Sequence, residues 1–255
     1  MPKSKKLTWR AGLLLAVIII SATVLTLSAI NLVRYQIDSH KTSEQITFVQ
    51  EIAKNQTPDK PLNDSLSALS FAELKSLNPD TAGWIEISGT NVDYPFVQTS
   101  DNDFYLNHSF NRTENSAGWI FLDYRNDPKN LSKNTILYGH GRFDNTMFGS
   151  LKNILTSGWL NNPDNYYIRL STETKNTLWQ VFSVYKIPTT NDYITVDFAT
   201  DADFLDWANK LKTRSAHNFA LELSSADYVL TLSTCYNGSE KVVLHAKLLK
   251  SEPRV

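Results

Sequence analysis

The sequence predicts a mostly β domain with short helices, carried behind a single N-terminal transmembrane helix and a helical lead-in. Three observations lead there: an uncharged apolar run near the N-terminus, a series of short β-prone segments between polar turns from Trp84 onward, and few stretches of helical spacing after Asn78. With 255 residues, 20% charged and 42% hydrophobic, the chain is long enough to bury a sizeable core. A formal net charge of -1 gives no sign of a nucleic-acid partner or an acidic disordered tail.

From Ala11 to Val33 no residue is charged, and Leu13 to Ile20 is almost purely aliphatic, enough for a helix to cross a hydrocarbon core of roughly 30 Å. Lys3, Lys5, Lys6 and Arg10 precede this run and Arg34 alone follows closely, so the positive-inside bias keeps the N-terminus cytoplasmic and exports the rest. A cleaved signal peptide competes, but its apolar region usually spans only about 7–15 residues and no clear small-x-small site follows here. Residues 1–34 therefore read as a cytoplasmic tail and single-pass anchor in the cell membrane, with everything beyond on the extracellular face. Residues 35–77 read as lead-in and linker. Tyr35 to Lys54 is a loosely amphipathic helix on Ile37, Ile46, Phe48, Val49 and Ile52, and Asn55 to Ser67 is an Asn-, Asp-, Ser- and Pro-containing linker. Ser70 to Leu77 is then a short helix with Ser70 as N-cap and Glu73 completing a capping box.

Residues 78–255 form the globular part. Trp84–Ile87 and Val92–Pro95 flank Ser88-Gly89-Thr90-Asn91 as a hairpin. Further strands are predicted at Trp119–Leu122, Thr135–Tyr138, Tyr166–Leu170, Leu178–Ile187, Tyr228–Leu232 and Val242–Leu249, and helices at Met147–Leu155 and Asp201–Thr213. Many short strands favour a closed or nearly closed barrel, which removes exposed edges.

The one cysteine, Cys235, excludes an intramolecular disulfide and any multi-cysteine metal site. A lone cysteine is often just a small buried hydrophobe. This one ends the β-prone run Tyr228-Val-Leu-Thr-Leu-Ser-Thr-Cys235 where the chain turns into Tyr236-Asn237-Gly238, a rigid yet reachable place for a nucleophile. A free thiol has a pKa of about 8.5, so attack on a carbonyl needs a basic or cationic neighbour. Of five histidines, His40 is near the anchor, His217 lies beyond a helix and His245 sits within a strand as a face residue, leaving His108 and His140. His140 follows Thr135-Ile-Leu-Tyr-Gly139 and precedes Gly141, so its imidazole is presented at a strand end. By itself such a histidine is more often structural or merely exposed. No His/Cys/carboxylate group has metal-ligand spacing, and no cofactor is expected.

Five motifs, in order, resemble the sortase family and its class B in particular: Thr81-Ala-Gly-Trp-Ile85 through Tyr94-Pro95, Gly118-Trp-Ile-Phe-Leu-Asp-Tyr-Arg-Asn126, Asn134-Thr-Ile-Leu-Tyr-Gly-His140, Asp144-Asn-Thr-Met-Phe148 and Thr231-Leu-Ser-Thr-Cys235. The resemblance covers about Asn78 to Leu249. It implies a mixed eight-stranded β-barrel and a transpeptidase that cuts a C-terminal sorting motif on a surface protein, then joins it to an amine. The acceptor would be a peptidoglycan precursor or, in the pilin-polymerase alternative, a pilin lysine. Cys235 would be the nucleophile and His140 its acid–base partner. The family's arginine near the oxyanion is replaced here: Lys241 takes its position on the strand Val242–Lys247, and no arginine lies between Cys235 and Arg254. Arg142 is the residue that could share the role. The resemblance further implies Asn102 and Leu106 on one substrate wall, Thr189, Tyr193 and Ile194 opposite, and Ser233 beside the nucleophile. The departure at Lys241 alone supports another alternative, a weakly active peptide-binding domain. A papain-like protease has the reverse order of cysteine and histidine.

Overall fold

The segment Thr81–Ile87 (β1) folds back on Asp93–Val97 (β2), with Trp84 opposite Pro95 and Ile85 opposite Tyr94. The turn between them needs Gly89, whose φ of +70° is a left-handed conformation and whose added Cβ would fall 2.3 Å from Asn165 Oδ1. Pro95 is tolerated because β2 meets its other neighbour at one pair, Val97 with Phe121, so most of that side is edge-like. The computed structural model describes residues 9–55, 70–235 and 239–254, without the side chains of Lys54, Asn55 and Cys235. Most of the predicted 55–67 linker lies outside the described residues.

Phe121–Leu122 (β3), Asn134–Gly139 (β4), Tyr167–Thr172 (β5), Lys175–Pro188 (β6), Val229–Cys235 (β7) and Glu240–Pro253 (β8) complete a closed eight-stranded barrel in the order β1-β2-β3-β4-β7-β8-β6-β5. Antiparallel pairing of β5 with β1 closes it. Two pairs are parallel, β2 with β3 and β4 with β7, so the barrel is mixed. Trp84, Trp119 and Trp179 are buried with Ile85, Phe96 and Leu137 in one apolar core cluster.

The helix Asp201–Thr213 (here α4, after Trp9–Asn55 as α1, Phe71–Leu77 as α2 and Ser157–Leu160 as α3) forms where predicted. Thr200 caps it by accepting the Asp203 N–H at 3.1 Å, and acidic residues begin it while Lys210 and Lys212 end it, matching the helix dipole. Its buried face of Phe204, Ala208 and Leu211 packs with Phe182, Tyr185, Val229 and Val243 as a second core outside the barrel. Within that core His245 is fully buried. Thr231 Oγ1 donates to Asn134 Oδ1 at 2.7 Å and so accepts from His245 Nδ1 at 2.9 Å, leaving Nε2 to accept from the Tyr185 hydroxyl at 2.8 Å. The strand-face histidine of the sequence reading is thus a core residue with both nitrogens engaged.

Three elements differ from the sequence reading. Nothing between Leu13 and Asn55 is Gly or Pro, and α1 runs unbroken through the predicted end of the anchor at residue 34. The chain nevertheless divides into two compact units, Met1–Lys41 and Thr42–Val255. In the first, Thr23 and Thr26 return their hydroxyls to the Ile19 and Ala22 carbonyls at 2.9 Å, satisfying them within the helix. In the second, Thr42, Ile46, Val49 and Ala53 recur at helical spacing on the face that packs on the domain. Asn115 donates to Thr42 Oγ1 at 3.2 Å and Gln50 to the Asp93 carbonyl at 2.8 Å. The predicted Met147–Leu155 helix is a 3-10 segment over Gly149–Leu155, because Met147 takes a φ of +51° and the Phe148 N–H bonds back to the His140 carbonyl at 3.0 Å. The predicted Trp119–Leu122 strand shortens to β3, since the Trp119 N–H goes to the Tyr105 carbonyl at 2.9 Å.

Two stability predictions follow from this packing. Val49→Ala removes two buried methyl groups from the docking face of α1 and lowers stability by about 2 kcal/mol, whereas the half-exposed Phe48→Ala changes it by less than about 0.5 kcal/mol. Urea unfolding followed by tryptophan fluorescence checks both. Burial, reinforced by the Arg214 charge, pushes the His245 imidazole down to about 3, against about 6.5 in an unfolded chain. Stability from this ring is therefore complete above pH 6.5 and declines as pH falls toward about 3, because only the unfolded chain takes up the proton. The loss is about 1.4 kcal/mol per pH unit. In His245→Asn the slope of stability against pH, measured by urea unfolding between about pH 4.5 and 6, is shallower by about one proton; an unchanged slope would contradict a neutral folded-state ring.

Candidate active site

Strand β4 ends at Gly139 and hands the chain to His140; strand β7 ends at Cys235. The two strands run parallel with Asn134 opposite Val229 and, at the far end, Gly139 opposite Thr234. One residue further along each strand come His140 and Cys235, on backbones that neighbour each other at a spacing of roughly 4.8 Å in a sheet. On the other side of β7, Cys235 pairs with Lys241 at the start of β8. The Cys235 side chain and residues 236–238 lie outside the described residues.

His140 is held on both flanks. Gly139 lets the end of β4 lie on Phe148, whose ring carbon would be 2.9 Å from an added Cβ. His140 Nε2 is 2.7 Å from the Leu106 carbonyl oxygen, which can only accept, so Nε2 carries a proton and Nδ1 is left for chemistry. Leu106 closes the 3-10 turn Phe104–Leu106, which Asp101 fixes by accepting the Asp103 and Phe104 N–H groups at 2.8 Å. Past His140 the chain doubles back, with Gly141 bridging Met147 and the Tyr94 hydroxyl donating to the Met147 carbonyl at 2.6 Å.

Beside this strand end opens a cleft of about 250 Å³. Asn102 and Leu106 line one wall, Thr189, Tyr193 and Ile194 the other, and Ser233, His140 and Lys241 complete it, so these eight sequence-predicted residues come together. Arg142 does not join them. It is buried beneath its own loop, its Nη2 2.9 Å from Asp144 Oδ2, while Asp144 Oδ1 accepts the Thr146 N–H at 3.0 Å. This pairing of the guanidinium with a carboxylate two residues away shapes the loop.

The wall formed by the segment after β6 is tied down along its length. Thr189 donates its N–H to the Ser239 carbonyl at 3.1 Å, linking the wall to the residue just before β8. Arg214, Lys210 and burial act on Asp192; the Arg214 guanidinium dominates and holds its carboxyl well below the usual range. Asn134 donates to the Thr195 carbonyl at 2.9 Å and to that of Tyr193 at 3.3 Å. The Tyr193 and Ser233 hydroxyls lie 2.9 Å apart, joining wall to floor.

The sequence reading assigned no role to Asp123, Arg125 or Tyr138. Asp123, fully buried at the end of β3, accepts from Arg125 Nε at 2.8 Å and Nη2 at 2.6 Å, from the Tyr138 hydroxyl at 2.9 Å and from Asn102 Nδ2 at 3.2 Å. Burial pushes this carboxyl up, but the Arg125 and Tyr138 hydrogen bonds outweigh it and hold the pKa below the usual value. Arg125 Nη2 also donates to the Ile194 carbonyl at 3.1 Å. The available signal was a charged pair, Asp123 and Arg125, directly after an apolar strand.

A family model described as the sortase domain matches residues 85–249. The chain is 38% identical over 184 residues to sortase B of Staphylococcus aureus (strain NCTC 8325 / PS 47), covering 71% of this chain and 75% of that protein. It is 36% identical over 182 residues to sortase B of Listeria monocytogenes serovar 1/2a (strain ATCC BAA-679 / EGD-e), covering 69% and 73%. Among solved structures, the complex of B. anthracis sortase B with AAEK1 aligns with a TM-score of 0.74 at 32% identity, over 84% of this chain and 99% of that one. The Staphylococcus aureus sortase B-substrate complex aligns with a TM-score of 0.73 at 32% identity, over 84% and 99%. The match runs through the barrel from β1 to β8 and takes in the paired strand ends and both cleft walls, and on that extent the chain belongs to the sortase family of cysteine transpeptidases, alongside its class B members.

Proposed function

We propose that this sortase is a membrane-anchored enzyme that cleaves a C-terminal sorting motif through a thioacyl intermediate on Cys235 and joins the surface protein to a cell-wall amine. The observation that carries the reading is the β4–β7 register, which sets His140 and Cys235 one step beyond the same last pair at the edge of the cleft. The anchor is residues 1–34, with the N-terminus cytoplasmic and the catalytic domain, residues 78–255, outside. Supporting it, α1 is the one helix among the described residues long and apolar enough to cross a membrane.

In the first half-reaction the Cys235 thiolate attacks the scissile carbonyl carbon. The C–N bond breaks, the leaving amine takes a proton from His140 and a thioester remains. Because the Leu106 carbonyl occupies Nε2–H, the proton moves on Nδ1 and the ring keeps its orientation in both charge states. In the second half-reaction an acceptor amine attacks the thioester, His140 takes its proton and the thiolate leaves. Sortase B has been crystallised with a substrate and, in another structure, with triglycine; an extended peptide in the cleft and an amine acceptor are the corresponding roles proposed for this chain. Lys241, opposite Cys235 on β8 and lining the cleft, supplies the positive charge for the developing oxyanion. Asn102, Leu106, Thr189, Tyr193, Ile194 and Ser233 hold the peptide.

Cys235→Ala abolishes both cleavage and the acyl adduct seen by mass spectrometry, and His140→Ala lowers turnover by about 10²–10⁴-fold. An acyl adduct on the alanine variant of Cys235 would sink the assignment. Lys241→Ala lowers kcat by about 10²–10³-fold with KM within about threefold, as measured with a fluorogenic sorting peptide. An unchanged kcat would remove Lys241 from the chemistry.

A further inference from the structure

We infer that Arg125 is a positioning residue that fixes the two walls of the cleft against each other, an inference that rests on the peptide-binding role proposed for that cleft. The two walls come from distant parts of the chain: Asn102 precedes β3, and Ile194 follows β6. Arg125 reaches both. Its Nε and Nη2 grip the two oxygens of Asp123, and the same Nη2 donates to the Ile194 carbonyl at 3.1 Å.

What Asp123 does with its remaining capacity makes this more than a local ion pair. Its Oδ2 also takes one N–H of Asn102 at 3.2 Å and the Tyr138 hydroxyl at 2.9 Å, and both donors line the cleft. Asn102 Oδ1 accepts the Tyr124 N–H at 3.0 Å, so its amide plane is set from both ends and its second N–H remains to meet a peptide carbonyl. On the opposite wall, Asn134 holds the Tyr193 and Thr195 carbonyls and Arg125 the Ile194 carbonyl between them. Three consecutive peptide groups are thereby oriented, and with them the Ile194 side chain that faces the cleft. A fully buried carboxylate needs its charge paired, and only a planar fork can satisfy both of its oxygens while reaching a third acceptor. Lysine keeps the charge without the fork. The Arg125 side chain is itself about one-third exposed, so it braces the cleft rim without filling the core.

The test compares Arg125→Lys and Arg125→Ala in the full chain, reading peptide-cleavage kinetics, melting temperature and hydrogen–deuterium exchange. In Arg125→Lys, KM rises about tenfold, kcat changes less than about twofold, and exchange at residues 193–195 speeds up about tenfold while the melting temperature holds. Arg125→Ala shows the same pattern more strongly, together with a lower melting temperature from the unpaired Asp123. Unchanged exchange at residues 193–195 in Arg125→Lys overturns the inference, as does a loss confined to kcat. If the wild-type chain cleaves no sorting peptide, the proposed function fails separately and the exchange result alone decides for or against Arg125.

Discussion

The parallel pairing of β4 with β7 is the constraint on which the rest of the site depends. Parallel neighbours cannot be joined by a tight turn; the chain must leave the sheet and return. Here the excursion contains β5, β6 and α4, so the same connection that brings His140 beside Cys235 also builds the wall that carries Thr189, Tyr193 and Ile194. A slip of one residue in this register would move His140 off the end of β7 and turn every side chain of one strand to its other face. The buried hydrogen bond from Thr231 to Asn134, between β7 and β4, opposes such a slip because Asn134 would lose a partner inside the core.

Two buried polar side chains do for the walls what the register does for the reacting residues. Asn134 and Asp123 each satisfy several groups at once, and each couples a barrel strand to the segment after β6, Asn134 directly and Asp123 through Arg125. A loop wall that is pinned at successive carbonyls loses little further entropy when a peptide docks against it. The cleft is thus made from mobile kinds of structure, loops and a 3-10 turn, whose freedom is removed before any ligand arrives.

Much of this is legible in the sequence, for identifiable reasons. The β1–β2 hairpin shows through its alternation and its glycine turn, α4 through its cap and spacing, and the two strand ends through Gly139-His140 and Thr234-Cys235. The class B resemblance located seven cleft residues besides His140, all of which meet at one opening. Other features depend on long-range contacts that no local pattern records. Arg142 reads as a cleft candidate from its distance to His140, yet Asp144 draws it under the loop. Asp123 reads as one more turn aspartate, because its donors Asn102 and Tyr138 come from separate elements. Met147 looks like the start of a helix until its left-handed backbone, imposed by the return of Phe148 to His140, is known.

The position of β8 has a consequence for the life history of the enzyme. Although it is the last of the eight strands along the chain, it lies inside the barrel order, between β7 and β6, and it carries Lys241. Until it inserts, β7 has a neighbour on one side only, and the strand that bears Cys235 is an open edge. In the proposed topology, a chain exported behind its N-terminal anchor therefore keeps that edge open until β8 has emerged. Its arrival gives β7 its second neighbour, sets Lys241 opposite Cys235 and seals the barrel in a single closing event.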